Sequence, residues 1–322
     1  MASGLHTPPP AADSFLVAYP APHVLLLTIN RPGQMNALPY AAHWEADGIM
    51  AWFDGEPSLR VAIITGAGPK AFCAGQDLIE LARLRTAPPP AALRRHPPAG
   101  FAGISRRTGK KPVIAAVNGC ALGGGFEICL NWYGPSSRRH SHPPPRSHPS
   151  HLAAAAAAPR HHVPSPLLTL TAPADSDIVL ASPLASFGLP EATVGLYAAA
   201  GGLPRLGRTA GLHVASEMAL TGRRLTAPEA RAYRLVNRIS RSPETLVPEA
   251  VEMAERVAGL SPDAVVVTRA GIREGLEVGS VEEATRRTSE RYDRALYEGE
   301  NMAIGLEAFG AKKKPVWLPS KL

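Results

Sequence analysis

Three short segments hold the residues best placed to do chemistry, and each carries glycine where the chain leaves an apolar run. They are Lys70-Ala-Phe-Cys-Ala-Gly-Gln-Asp-Leu78, Asn118-Gly-Cys-Ala-Leu-Gly-Gly-Gly-Phe-Glu127 and Phe187-Gly-Leu-Pro-Glu191, the last followed by Gly195 and Gly201-Gly202. Glu127 and Glu191 close the second and third, and carboxyl groups can carry protons in general acid–base catalysis. Read singly, neither is diagnostic. Glu127 suits a helix surface. Glu191, next to Pro190, suits a first helical turn, where the helix dipole favours negative charge. Glycine after a strand commonly serves turn geometry alone. The run 123–125 is not a GxGxxG fingerprint, and no GKS or GKT phosphate loop is present. The three cysteines, Cys73, Cys120 and Cys129, form no CxxC pair. Their odd, low number points to reduced thiols in an intracellular compartment.

The elements that must position these segments follow from the apolar pattern. Val24–Asn30 reads as a buried strand stopped by Arg31-Pro32-Gly33, and Val61–Thr65 as another, closed by Gly66-Ala-Gly68. Between them, Ala37 to Phe53 reads as a helix with Pro39 near its first turn. Prolines 88–90 and 97–98 predict a mobile loop over 83–111. Pro112–Asn118 is a third buried strand, and the glycines of 119–125 turn it into a helix around Phe126–Leu130. Strands alternating with helices imply an α/β architecture. From about Leu212 the chain reads as helical, with Val281–Tyr297 and Glu300–Phe309 the clearest cases and Lys312–Lys314 beyond them. Such helices often pack on a neighbouring domain or subunit. The organisation expected is a disordered lead (1–14), a core (15–211), a C-terminal helical region (212–316) and a tail (317–322).

Residues 132–176 break this pattern. They contain Pro143–Pro145, six consecutive alanines at 153–158, and His140, His142, His148, His151, His161 and His162. The histidines match no zinc spacing and have no cysteine beside them, so no metal site is assigned. Low-complexity sequence without a role is the simpler reading. The genetic code offers a reason. Trp132-Tyr133 must be encoded with an internal GTA, a splice-donor-like triplet, and a Ser176 codon AGC or AGT contains an acceptor AG. Joining the first two bases of Trp132 to the last base of Ser176 keeps the frame and gives Asn131-Cys-Asp177. The segment is therefore expected to be a retained intron or a gene-model error.

Taken together and in order, the three glycine segments resemble the crotonase superfamily of enoyl-CoA hydratases, isomerases and relatives. Thr28–Pro32, Lys111–Asn118 and Leu220–Ala230 add to the resemblance, which spans Val24 to about Val316 apart from the odd segment. It implies a ββα spiral core with a C-terminal helical region. It implies an oxyanion hole formed by the backbone N–H groups of Gln76 and Gly124, where a thioester enolate gathers charge. Ala74, Gly75, Gln76, Asp77, Leu78 and Gly124 would bind the CoA ester, and Glu127 and Glu191 align with the two catalytic glutamates of hydratases. One would take a proton from water as it attacks the β-carbon; the other would position that water and supply the α-proton. The sequence departs from the hydratase pattern at Tyr197–Gly202, where Ala199 replaces a glycine. The odd segment also separates Glu127 from Glu191 by more chain than the family uses.

The expected function is therefore syn hydration of a trans-2-enoyl-CoA to a 3-hydroxyacyl-CoA in peroxisomal β-oxidation. The alternative is a specialised acyl-CoA of secondary metabolism, for example siderophore assembly. An isomerase can run on one glutamate, whereas this chain keeps two. No cofactor is expected beyond the acyl-CoA substrate. The net charge of +7 suits phosphate-rich ligands. It also admits an idle RNA- or CoA-binding protein, but no RNP-like aromatic motif supports nucleic-acid binding. No uninterrupted apolar run is long enough for a membrane span, and the N-terminus lacks the pattern of a secretory signal. Ser320-Lys321-Leu322 reads as a peroxisomal address, with the import receptor as partner. The resemblance implies a homotrimer or hexamer.

Overall fold

The chain coils, and each turn of the coil lays one strand into each of two sheets. A computed structural model describes residues 4–86, 95–130 and 176–322. The first sheet contains β1 (Phe15–Ala21), β2 (Val24–Ile29), β3 (Val61–Gly66), β5 (Val113–Val117), β7 (Ile178–Ala181) and β10 (Arg238–Ile239), in the order β1-β2-β3-β5-β7-β10. Only the β1–β2 pair is antiparallel. The second sheet has the order β4-β6-β8-β9, from β4 (Ala71–Cys73), β6 (Cys120–Leu122), β8 (Ser186–Gly188) and β9 (Leu225–Thr226). The short strands β4, β6 and β8 run parallel.

Every residue of β3 and β5 is buried, as parallel strands covered on both faces require. The two-residue period of a strand divides their side chains between two helices. Ala62, Ile64, Val113, Ala115 and Val117 join the cluster containing Ala42, Ala46, Ile49, Met50 and Phe53 of α1 (Tyr40–Gly55). Val61, Ile63, Ile114 and Ala116 meet Leu246, Ala250, Ala254 and Ala258 of a helix on the opposite face. That helix is α7 in the run α2 (Leu78–Thr86), α3 (Gly124–Cys129), α4 (Gly202–Ala210), α5 (Leu212–Thr221), α6 (Ala227–Ala232), α7 (Leu246–Ala258), α8 (Pro262–Glu277), α9 (Val281–Tyr297) and α10 (Glu300–Gly310). The expected α/β class and the crotonase-like core are therefore present.

Several expected boundaries move. The core does not end at residue 211, because β9 and β10 lie beyond it and complete the two sheets. They are two residues long and carry too little pattern to read as strands. The lead is placed from Gly4 onward: the amides of His6 and Thr7 donate to the Glu56 carboxylate, and Leu5 and Ala12 pack on the core. Of the loop expected at 83–111, Arg83–Thr86 finish α2 and Phe101–Ser105 are buried. Residues 87–94 and all but Ser176 of 132–176, with their six histidines, lie outside the described residues.

Asp177 opens β7 beneath α8. It takes hydrogen bonds from Arg269 Nε at 2.8 Å and Arg273 Nη2 at 2.6 Å, and its Oδ2 accepts from Val113 N. Its carboxyl stays below the ordinary range despite burial, because two guanidiniums face it. The tail is also held. Ser320 Oγ donates to Asp263 Oδ1, Lys321 pairs with Glu300, and Lys110 Nζ donates to the Leu322 carbonyl. Among the described residues, no helix is long and apolar enough to cross a membrane.

Candidate active site

The segment after β4 is strapped down at both ends. Leu38 N donates to Gly75 O and Asp77 N donates to Leu38 O, both at 2.9 Å. Asp77 Oδ1 accepts from the amides of Ile79 and Glu80, capping α2, and Oδ2 pairs with Arg31 at 3.1 Å. Ala74 N donates to Met35 O, while Leu78 is exposed. Between the straps, the Gln76 amide has no acceptor among the described residues.

The segment after β6 supplies a second such amide. Gly123, at φ 53°, precedes α3, and its N–H donates to Gly188 O. Gly124 then begins the helix with its own N–H unused among the described residues, as a first-turn amide must be. A side chain is barred here. A Cβ on Gly124 would meet the Phe101 ring at 2.5 Å, and one on Gly123 would lie 3.0 Å from Glu191 Oε1. Gly124 N also lies 3.4 Å from where a Cβ on Gly75 would be, so the two amide-bearing segments adjoin.

The same turn brings the carboxyl groups together. Glu127 is 3% exposed, and its Oε1 accepts from Gly202 N at 2.7 Å. Burial pushes its carboxyl up to about 7; nearby Glu191 pushes the same way, and Gly202 N–H and Arg205 oppose it. Glu191 begins a 3-10 turn after β8. Burial raises its carboxyl too, and its Oε2 has no hydrogen-bond partner among the described residues. Burial thus raises the proton affinity of both carboxyls, and at about 7 Glu127 can hold or release a proton near neutral pH. Two such carboxyls can supply an acid and a base, beside two backbone donors that could hold a developing oxyanion. Among the described residues, no group of three or more His, Cys, Asp or Glu side chains is arranged to hold a metal.

Sequence reasoning missed the groups behind these residues. His43 of α1 is fully buried; its Nδ1 accepts from Ala102 N at 3.1 Å, which puts the neutral ring's proton on Nε2. Burial holds its pKa down to about 3, so the ring is neutral. Its Nε2 lies 2.9 Å from Gln76 Oε1, and His96 Nε2 lies 3.1 Å from the same oxygen. Arg205 of α4 anchors the wall behind Glu127, donating to Ala200 O and Ser105 O. His43 was visible in principle as a polar residue on the buried stripe of α1. His96 and Arg205 had no comparable signal.

The enoyl-CoA hydratase/isomerase family profile matches residues 21–131 and 170–319. The chain belongs to that family. It is 40% identical to the mevalonyl-coenzyme A hydratase of Beauveria bassiana over 319 residues, covering 98% of each chain. It is 32% identical to the carnitinyl-CoA dehydratase of Proteus mirabilis over 299 residues, covering 91% of this chain and 94% of that one. The crystal structure of an enoyl-CoA hydratase from Bacillus anthracis superposes with a TM-score of 0.72 at 29% identity, covering 96% of this chain and all (100%) of that one. The crotonase-superfamily resemblance is thereby confirmed, and this family member is an enzyme of hydratase type. The profile skips residues 132–169, inside the segment that broke the sequence pattern.

Proposed function

We propose that this hydratase adds water to, and removes it from, a branched acyl-CoA that carries a hydroxyl beyond the β-carbon. The observation that carries the chemistry is the pairing of buried Glu127 with half-buried Glu191 beside the unused amides of Gln76 and Gly124. In the dehydrating direction, the ionised carboxyl takes the α-proton and the two amides hold the thioester enolate. The protonated carboxyl gives its proton to the departing β-hydroxyl, which leaves as water. The two carboxyls have then exchanged states, and the pair still holds one proton. Hydration is the reverse. Ala74–Leu78 and Gly124 bind the CoA ester, and no other cofactor enters.

The substrate class draws support from the relatives' names. The mevalonyl group is branched at its β-carbon and ends in a hydroxyl, and the match to its hydratase spans nearly the whole chain. Such a substrate belongs to secondary metabolism, of which siderophore assembly is one example. The second reading, straight-chain enoyl-CoA in β-oxidation, is favoured by Ser320-Lys321-Leu322. We extend the proposal to a peroxisomal location read by the import receptor. We also extend it to a homotrimer or hexamer, which would cover the exposed Ile272, Leu276, Val281, Leu306 and Phe309 of α8–α10.

The test is turnover of purified protein on two hydroxyacyl-CoAs, followed by enoyl-thioester absorbance. One is branched with a terminal hydroxyl; the other is straight-chain. A higher kcat/KM on the branched ester is expected. Preference for the straight chain would select β-oxidation instead, and no water exchange on either would reject the hydratase function.

A further inference from the structure

We propose that Arg205 is a positioning residue for the acid–base chemistry: its buried guanidinium seats the Gly201–Gly202 turn against the Glu127 carboxyl and ties that turn to the loop flanking Gly124, an inference that rests on the role given to Glu127 above. The two glycines show how the seat is built. Gly201 has φ 103°, in the left-handed region that favours glycine. A Cβ there would lie 2.9 Å from Arg205 Cζ, whereas one on Gly202 would lie 2.8 Å from Glu127 Cγ and 2.9 Å from its Oε1. Adjacent residues thus press on a cation and on a carboxyl group. The peptide between them carries Gly202 N, which donates to Glu127 Oε1 at 2.7 Å. Arg205 Nη1 holds the preceding peptide by donating to Ala200 O at 3.1 Å, and its Nη2 donates to Ser105 O. Ser105 Oγ in turn accepts from the amide of Phe101, whose ring fills the space beside Gly124.

Stability alone would not choose a cation here. Arg205 is buried, and its head group folds back onto the N-terminal end of α4. The helix dipole disfavours positive charge at that end, and burial strips the guanidinium of water. What the charge does is act on Glu127. Burial pushes that carboxyl up to about 7 and Glu191 adds to the rise, while Gly202 N–H, Arg205 and the backbone of Ala200 oppose it. Of the other groups on elements packed against α3, Cys73 of β4 and Cys120 of β6 are thiols that burial raises, so both are neutral, and Arg208 of α4 is turned to Leu276 O. Removing the Arg205 guanidinium therefore has two effects. The peptides that present Gly202 N and border Gly124 lose the anchor they share, and the Glu127 carboxyl takes up its proton more readily.

The experiment records kcat and kcat/KM against pH for the full chain on a hydroxyacyl-CoA, in wild type, Arg205→Gln, Arg205→Lys and Gly201→Ala. Glutamine keeps a neutral donor, and lysine keeps the charge. Gly201→Ala leaves the arginine in the chain but pushes its head group out of the seat. Loss of the cation should raise the midpoint of the limb near pH 7 by about one unit. The sign is the same whether turnover needs Glu127 ionised or protonated, because the cation favours the ionised form in both cases. In Arg205→Gln kcat should fall about 10–100-fold, with KM for the ester changing far less. Arg205→Lys should return the limb towards its wild-type position and recover much of the rate. A merely structural arginine would lower the urea midpoint in these variants and leave the limb where it was. An unmoved limb in Arg205→Gln overturns the inference, as does an equal upward shift in Arg205→Lys. If Arg205→Gln does not fold, an unmoved limb in Gly201→Ala overturns it instead. Near-normal turnover in Glu127→Gln would remove Glu127 from the mechanism and Arg205 with it, whereas an inactive Glu127→Gln beside an unmoved limb in Arg205→Gln would reject Arg205 alone.

Discussion

Replacing Glu127 by glutamine should abolish turnover and yet stabilise the fold, and the stabilisation should depend on pH. The Glu127 carboxyl rises from an ordinary 4.5 to about 7 on folding, chiefly because it is 3% exposed. A carboxyl with a raised folded pKa keeps a proton that the unfolded chain releases, so stability falls as pH climbs between the two values and levels off above the upper one. Each unit corresponds to about 1.4 kcal/mol. At about pH 8 nearly the whole shift opposes folding, on the order of 3 kcal/mol; at about pH 5 only a small part does. Glutamine can still accept from Gly202 N through its amide oxygen, and it carries no charge to bury. Chemical unfolding of both proteins at these two pH values measures the effect. The stability difference, variant minus wild type, should be about 2–3 kcal/mol more favourable to Glu127→Gln at the higher pH. An equal difference at both pH values would refute the raised carboxyl.

Glu191→Gln should lower kcat by about 10²–10⁴-fold while the CoA ester still binds, checked by calorimetry; near-normal turnover would remove Glu191 from the mechanism. Asp177→Ala leaves Arg269 and Arg273 buried without their carboxylate and should destabilise the fold by about 3–5 kcal/mol, visible in the urea midpoint. If residues 132–176 are a retained intron, transcripts should mostly join Asn131 to Asp177 through a cysteine codon, and peptides from 138–172 in the native protein would overturn that. Loss of Ser320-Lys321-Leu322 should shift a fluorescently labelled protein from peroxisomes to the cytosol. Because Asp263 and Lys110 hold this tail, Asp263→Ala should speed its recognition by the import receptor, measured by peptide competition.

The sequence was most informative where pattern and motif coincide. Val281–Tyr297 and Glu300–Phe309 show helical spacing over several turns, and α9 and α10 follow those bounds to within a residue. Glu127 and Glu191 were recognisable only through their motifs, because a lone glutamate after a glycine turn or a proline has ordinary uses. β9 and β10 were illegible for want of length; pairing to β8 and β7 makes them strands. His43 and His96 escaped because their meaning lies in one shared acceptor, Gln76 Oε1, on a segment far from both in sequence. The role of Asp177 was hidden by distance as well: its two arginine partners lie more than 90 residues away.

The neighbouring parallel strands β4, β6 and β8 each end at a chemical group: Gln76, then Gly124 with Glu127, then Glu191. Adjacent strands lie about 4.8 Å apart, so the coil spaces these groups by a fixed pitch, like pegs on a rack. A peg can be exchanged without altering the rack, because the ladder hydrogen bonds involve only backbone. Strands from either side of residues 131–175 pair in register, β5 with β7 and β6 with β8. Such a scaffold lets new reactions arise by substitutions at the ends of three short strands, with the rest of the spiral left as it was.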